Sequence, residues 1–243
     1  KKFGSHFSEN FHPYKDKLDI KGIIVKSSNI GAAKIATKIG KKNQIEYFKK
    51  FGFYEKINLE INETALPLAP KHWKKLETMT IGYGHGFSIT PLHLCQAYAS
   101  IVNGGFQVKP TLLKNKKFTN LKRVVKLSTS AEVNKLLRSV ILETKYTGPL
   151  TRIEGYDLGG KTGTSELITN GNYSSTSNLA IFISIFPVSD PQYVVLAMVK
   201  DPKKIKETNF NNTGGWVAAP LVKRIISNII KIFSIPAITE KTL

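Results

Sequence analysis

Two apolar, β-branched runs separated by a short polar turn constrain this chain more than any other feature. Residues 179–186 and 193–199 are each of strand length, and Ser189-Asp190-Pro191-Gln192 between them is turn-forming. The pair predicts an antiparallel hairpin buried on at least one face. Beyond it, residues 218–233 carry Pro220 near the start and apolar pairs at 221/222, 225/226 and 229/230. Lys223, Arg224, Ser227, Asn228 and Lys231 fall on the other side. That spacing predicts an amphipathic helix, packed on the sheet rather than lying on a membrane.

The earlier part of the chain reads as helices and loops. Residues 1–19 mix aromatics with Gly4 and Pro13 and predict irregular structure. A short helix follows over residues 20–26, interrupted by Ser27-Ser28-Asn29, whose side chains favour caps and turns. Helical spacing resumes over 30–39 and stops at Gly40; residues 44–51 form another piece that stops at Gly52, a C′ glycine. Residues 53–91 hold many breakers. Thr90-Pro91-Leu92 then opens a capped helix running to about Val102 and ending at Asn103-Gly104-Gly105. A further helix is expected from an N-cap at Ser130 to Glu143, with Val133, Leu136, Leu137, Val140 and Ile141 as its apolar face. No repeat or linker divides the chain, so one domain is the economical reading.

Charge is the composition's outlying property. The 243 residues carry 36 Lys and Arg against 17 Asp and Glu, a net +19. Such a surplus suits nucleic acid or an anionic membrane. Only Arg123, Arg138, Arg152 and Arg224 are arginines, however, and arginine is the usual reader of phosphates and guanine edges. The lysines are spread along the chain without an aromatic-interleaved stripe. The charge therefore reads as a lysine-rich solvated surface, and no nucleic-acid partner is expected. No apolar run approaches the roughly 20 residues of a membrane span, and residues 1–10 show no secretory signal. The single Cys95 excludes an internal disulfide framework and a cysteine-based zinc site. His6, His12, His72 and His93 lack metal-ligand spacing, so neither metal nor cofactor is expected.

Two motifs compete for the segment around Lys161. Residues 155–162 satisfy G-x-x-x-x-G-K-[ST], which would cradle phosphates on backbone amides. A phosphate loop needs a buried strand before it and a helix directly after it. Thr151-Arg152-Ile153-Glu154 is too short and polar for that strand; Gly163, Thr164 and Asn170-Gly171-Asn172 make a poor helix. The alternative takes Lys161-Thr162-Gly163-Thr164 as a strand beside a serine-acylation site. A lysine there supplies positive potential and a proton relay. Thr162 and Thr164, two apart on a strand, share a face and can hold one carboxylate, while Gly163 leaves room for a substrate along the strand.

Other segments favour the second reading. Ser27-Ser28-Asn29 fits S-x-N, far upstream and before a helix. With K-T-G, it makes two of the three motifs shared by penicillin-binding proteins and serine β-lactamases. Residues 80–92 (TIGYGHGFSITPL), Ala97-Tyr98-Ala99, Asn103-Gly104-Gly105, Gly155-Tyr156, Gly214-Gly215 and Val217-Ala218-Ala219-Pro220 extend the match in order. The chain thus resembles class B penicillin-binding transpeptidases of the FtsI (division-specific) type from about residue 15 to about 233.

The resemblance implies an α+β fold, with an antiparallel sheet flanked by helices and a helical lobe beside it. It implies acyl transfer in cell wall synthesis at division: a serine ester forms with a D-Ala-D-Ala stem peptide, D-alanine leaves, and a neighbouring amine attacks. Ser27 would relay a proton, Asn29 would hold the donor amide and the base lysine, and Lys161 would couple to Ser27. Thr162 and Thr164 would take the terminal carboxylate beside Gly163, and the Thr164 N–H would form half of an oxyanion hole. Implied partners are stem peptides, β-lactams if the nucleophile is present, and divisome or elongation proteins. The implied location is the periplasmic side of a bacterial inner membrane, with an anchor upstream.

The first family motif, S-x-x-K, is the departure: no serine of this sequence has lysine three positions later. In the family that motif would precede Lys1, so residues 1–243 read as the C-terminal portion of the transpeptidase domain, with its N-terminal part missing. Two expectations follow: no covalent penicillin adduct on this chain alone, and an open edge at the 193–199 strand. The alternative is a catalytically inactive, penicillin-binding-like fragment or interaction module. Among single residues, Glu166 reads as a solvated loop carboxylate, His85 as a loop residue between glycines, Cys95 as core, and Trp73 and Trp216 as packing anchors.

Overall fold

The computed structural model describes residues 2–3, 6–7, 17–169 and 172–237. The chain falls into two compact units, Lys1–Ser130 and Ala131–Leu243. The irregular structure expected over residues 1–19 lies mostly outside the described residues; within that stretch, β1 (Lys2–Phe3) pairs antiparallel with β2 (His6–Phe7).

The first unit is helical. It contains α1 (Ile20–Val25), α2 (Asn29–Lys50), α3 (Lys75–Ile81) and α4 (Pro91–Val102). The stop expected at Gly40 is a break inside α2, where φ is 79° and ψ 159°. The ring of Phe48 at the end of α2 meets Phe53, Trp73 and Phe87 at centroid distances of 5.3, 5.9 and 5.0 Å. Trp73 is therefore the packing anchor its sequence suggested, and its indole N–H donates to the Thr78 hydroxyl (3.1 Å). α4 starts as read: Thr90 caps it, accepting from the His93 amide, and Pro91 occupies the first turn. His93 is buried. Its Nε2 lies 2.9 Å from the Glu55 carbonyl and donates there, and its Nδ1 lies 2.7 Å from the Thr90 hydroxyl.

One helix start differs. α5 begins at Leu127 and runs to Glu143, so Ser130 lies inside its first turn instead of capping it. The Ser130 hydroxyl accepts from the Gly104 N–H at 3.0 Å, tying the loop after α4 to α5. Ser130 supplies a tertiary bond where a local one was expected.

The second unit holds most of α5, then α6 (Thr147–Thr151) and a three-stranded antiparallel sheet: β3 (Gly159–Thr169), β4 (Asn172–Phe186) and β5 (Tyr193–Lys200), in the order β3-β4-β5. A 3-10 turn (Lys206–Thr208) leads to α7 (Gly214–Ile232). The β4–β5 hairpin closes at the pair Phe186↔Tyr193, as the two apolar runs required. α7 covers one face of the sheet. Phe182 and Phe186 of β4, with Val195 and Ala197 of β5, pack on Ala218, Ala219, Val222 and Ile226 of α7 in one buried core. On the other face lie the buried Ile183 and Ile185, and Leu137 of α5 borders Gly159 there. α7 begins four residues before the expected 218, because the Thr213 carbonyl accepts from the N–H groups of Trp216 and Val217. Pro220 therefore sits inside the helix.

The entry to β3 is fixed by buried polar bonds. Arg138 of α5 donates to the Leu158 carbonyl (3.0 Å), the Ser184 hydroxyl donates to Gly159 O (2.7 Å), and Asp157 accepts from the Ser189 N–H (2.7 Å). The guanidinium of Arg152 donates to the Ile141 and Leu142 carbonyls in the last turn of α5, satisfying groups the helix leaves unpaired.

Candidate active site

Lys161-Thr162-Gly163-Thr164 lies in the middle of β3, paired with Ile183, Phe182, Ile181 and Ala180 of β4. β3 is an edge strand, and among the described residues nothing pairs with its other side. The strand continues to Thr169 with no helix after Thr162, so the phosphate-loop geometry is absent. Glu166 is exposed but sits on β3 opposite Asn178, not in the loop expected for it.

The alternation of the strand sorts the side chains. Thr162 and Thr164 share a face, as their spacing required, and that face meets the start of α7. The Gly214 N–H donates to Thr164 Oγ1 at 3.2 Å. A Cβ on Gly214 would stand 2.1 Å from the Ile181 carbonyl oxygen and 2.6 Å from that of Gly163. Only glycine lets the first turn of α7 come this close to the strand. Two hydroxyls thus stand beside a helix N-terminus, whose free amides favour negative charge. Lys161 belongs to the opposite alternation, but its Nζ curls back to 3.2 Å from Thr162 O and 3.4 Å from Thr162 Oγ1. Burial pushes its ammonium down to about 8. At neutral pH the group remains mostly cationic, yet it can yield a proton far more readily than a solvated lysine.

Ser27 and Asn29 belong to the first unit, Lys161, Thr162, Gly163 and Thr164 to the second. The S-x-N segment is a helix-to-helix joint. After α1, the Ser28 N–H donates to the Ile23 carbonyl (3.0 Å) and the Ser27 N–H to that of Ile24 (3.2 Å). That is the Schellman pattern, with Ser27 at the left-handed position, φ 49°. Ser28, buried, then caps α2 by accepting from the Gly31 N–H at 3.1 Å. Ser27 is left exposed, and Asn29, half-buried, is the first residue of α2. The order αL, cap, helix start is what gives the two S-x-N positions their placement, with Ser28 holding the joint from within.

The glycine-rich stretch after α3 is a second irregular joint. Gly84 and Gly86 have φ of 99° and 89°, and Ser88 bridges to Leu68. His85 stands between those glycines in the loop, 5.8 Å from the Tyr83 ring. Cys95 is half-buried on α4, and burial raises its thiol. In the first turn of α7, the Trp216 ring lies 5.5 Å from that of Tyr146, tilted by 34°.

Comparison with known proteins gives these pieces their context. A model of the penicillin-binding protein transpeptidase domain matches residues 1–227. The chain belongs to the penicillin-binding protein transpeptidase family. Among relatives, it is 30% identical over 249 residues to the probable peptidoglycan D,D-transpeptidase FtsI of Caulobacter vibrioides, covering 98% of this chain and 42% of that protein. It is 30% identical over 236 residues to a probable PenA transpeptidase of Neisseria meningitidis (96% and 39%). It is also 32% identical over 218 residues to the stage V sporulation protein D of Bacillus subtilis (84% and 33%). The chain thus spans about two fifths of the length of the curated relatives it matches.

Among solved structures, the transpeptidase domain of Burkholderia pseudomallei penicillin-binding protein 3 superposes with a TM-score of 0.80 at 28% identity, covering 90% of this chain and 66% of that one. The ampicillin complex of Mycobacterium tuberculosis penicillin-binding protein 3 superposes at 0.82 and 25% identity (91% and 52%). The α+β transpeptidase fold inferred from the motifs is the fold of this chain. Among the described residues, no helix is long and apolar enough to cross a membrane, and no group of three or more His, Cys, Asp or Glu could hold a metal ion.

Sequence reasoning had not assigned a role to Gly214, and had named Ser28 only as one of three residues that favour caps and turns. The first carried a signal, Gly-Gly immediately before a helix, but its partner lies fifty residues upstream. The second was hidden in a motif that names only its neighbours.

Proposed function

We propose that this chain is the carboxylate-binding and proton-relay portion of a peptidoglycan D,D-transpeptidase domain. In this reading Thr162 and Thr164 hold the terminal carboxylate of a D-Ala-D-Ala stem peptide lying along the open edge of β3. Gly163 leaves that edge clear, and the Thr164 N–H points to the acyl oxygen as half of an oxyanion hole. Lys161 supplies the positive potential. Ser27, coupled to it, passes a proton to the leaving D-alanine and takes one from the incoming amine, while Asn29 holds the donor amide. The observation that carries the reading is Lys161, half-buried and lowered to about 8 on an edge strand whose next residue offers a hydroxyl. The nucleophile and general base come from an S-x-x-K segment outside residues 1–243. The whole protein would act at the periplasmic face of the inner membrane, anchored upstream, with division or elongation proteins as partners.

A second reading, an inactive module of the same fold, is favoured by one specific fact: no S-x-x-K occurs in this sequence. Labelling with a fluorescent penicillin separates the two. The first reading expects no covalent adduct on the 243-residue chain, and stoichiometric, hydroxylamine-labile labelling once the reading frame is extended upstream through an S-x-x-K. Lys161→Ala in the extended protein should slow acylation by about 10²-fold or more. An upstream frame without that motif establishes the inactive module. Stoichiometric labelling of residues 1–243 alone sinks both.

A further inference from the structure

The charge of this chain is not evenly divided: residues 1–130 carry 23 Lys and Arg against 8 Asp and Glu, while residues 131–243 carry 13 against 9. Within the first unit, the irregular segment 103–126 concentrates it further, with seven cations and no acidic residue. Its tip is exposed without a break from Leu112 through Lys117, and Leu112 and Leu113 are 63% and 54% accessible. Two adjacent leucines held in water, with lysines at 114, 116 and 117, form a basic and apolar surface together.

The tip is built rather than loose. The carboxylate of Glu60 accepts from the Thr111 hydroxyl (2.7 Å), the Leu112 N–H (2.9 Å) and the Lys116 ammonium (2.8 Å). The Leu113 N–H donates to Thr111 Oγ1 at 3.1 Å, and the Lys116 N–H closes a turn on the Leu113 carbonyl at 3.2 Å. These bonds hold the backbone of the tip at Leu112, Leu113 and Lys116, and both leucines stay more than half exposed. Ile61, next to Glu60, is exposed as well. A fold that fixes apolar side chains outward in this way gains nothing from them alone.

We propose that the 111–117 tip is a docking prong for an anionic phospholipid surface: Leu112 and Leu113 enter the headgroup and acyl boundary while Lys114 and Lys117 face lipid phosphates and Lys116 stays on Glu60. The cations favour this occupant. They are mainly lysines, compact charges suited to mobile headgroups, whereas fixed phosphates and carboxylates are commonly gripped by the bidentate fork of arginine. Polybasic segments bind anionic leaflets in proportion to their lysines, and apolar insertion supplies the second component that stable association requires. The proposal is independent of the acyl-transfer reading, since it uses no residue of S-x-N or K-T-G.

Co-sedimentation of the 243-residue chain with extruded vesicles tests it, comparing 30% phosphatidylglycerol in phosphatidylcholine with phosphatidylcholine alone. Binding to the anionic vesicles is expected, falling with added salt. L112S/L113S should weaken it about tenfold at constant charge, and K114E/K117E by a larger factor, since each lysine lost is worth about fivefold and each reversal more. K41E/K42E, a charge reversal of equal size on the exposed face of α2, should cost far less. All of these positions are exposed, and unchanged circular dichroism would show the fold intact. Three outcomes overturn the proposal. Equal loss from K41E/K42E would mean diffuse electrostatics, and indifference to L112S/L113S would mean that the leucines insert nowhere. Absence of vesicle binding, together with self-association that L112S/L113S abolishes, would identify a second copy of the chain as the occupant.

Discussion

The Ser27 joint and the β3 edge hold the two sets of candidate residues by opposite means. Ser27 is placed by bonds within a few residues of itself: the last turn of α1, the Ser28 cap and the first turn of α2. Its cost is conformational, a side chain carried at φ 49°. Lys161 to Thr164 are placed by pairing with β4 some twenty residues later and by the start of α7 fifty residues later. The cost there is desolvation of an ammonium. A local device can be altered without moving anything else, whereas the edge cannot be relaxed without disturbing the core beneath it.

The largest effect should therefore come from the long-range device. Gly214→Ala puts a methyl group into the Ile181 and Gly163 carbonyls, backbone that cannot swing aside. We expect a loss of about 3 kcal/mol or more, read as a lower urea midpoint. A midpoint shifted by less than that of Thr164→Val, which removes only one hydrogen bond of about 1 kcal/mol, would show that α7 does not define the edge.

Next comes the ammonium of Lys161. Its value of about 8 in the fold lies below the ordinary 10.5. Below pH 8 both folded and unfolded chains are charged, and the fold bears the full desolvation cost. Between pH 8 and 10.5 the folded chain has released its proton and the unfolded chain has not, so stability climbs with pH. The difference amounts to about 3 kcal/mol. Lys161→Met should thus stabilise the protein at pH 7 by up to about 3 kcal/mol, with the gain fading as pH approaches 10.5. Urea titrations at both pH values check it; a Met variant less stable at pH 7 would reverse the sign of the argument.

The local device predicts a smaller change and carries its own controls. α2 ends in the same hydrogen-bond pattern as α1, Phe53 N–H to Phe48 O and Gly52 N–H to Lys49 O, with Gly52 at φ 78°. α7 ends likewise, with Ser234 at φ 49°. Of three similar ends, one uses glycine and two use serine, so a serine there is tolerated by the fold without being favoured by it. Ser27→Gly should raise stability by about 0.5–1 kcal/mol, the relief of the left-handed strain less the extra freedom of the unfolded glycine. Ser27→Ala, equally strained, should bring no such gain. A gain from Ala as large as from Gly would place the cost in the hydroxyl, not in the backbone.

This contrast also explains what the sequence disclosed. Thr90-Pro91, Gly52, the Gly40 break and the 186–193 hairpin were legible because each rests on chemistry within one turn. The residue types of K-T-G-T were legible as a motif. The start of α5 was not, since the Ser130 hydroxyl serves Gly104 and not its own helix. Nor was the start of α7, which depends on a glycine fitting between two distant carbonyls. The left-handed Ser27 left no trace because serine, unlike glycine, does not advertise that conformation.

The smallest effect tests whether a third region, the 111–117 tip, is local in the same sense. Three donors on the Glu60 carboxylate, led by the Lys116 ammonium, hold it down at about 2. A carboxylate lowered in this way contributes stability above its ordinary range near 4.5, and the contribution drains away as pH falls from there towards 2. Because the group is at the surface, the change should appear as local opening, with the global midpoint little moved. Hydrogen exchange should show the Leu112 and Leu113 amides losing protection across that acid range while those of β4 keep theirs. Glu60→Gln should reproduce the loss at pH 7. If the β4 amides opened together with the tip, the tip would belong to the cooperative core, and its exposed leucines would need an explanation from packing instead of docking.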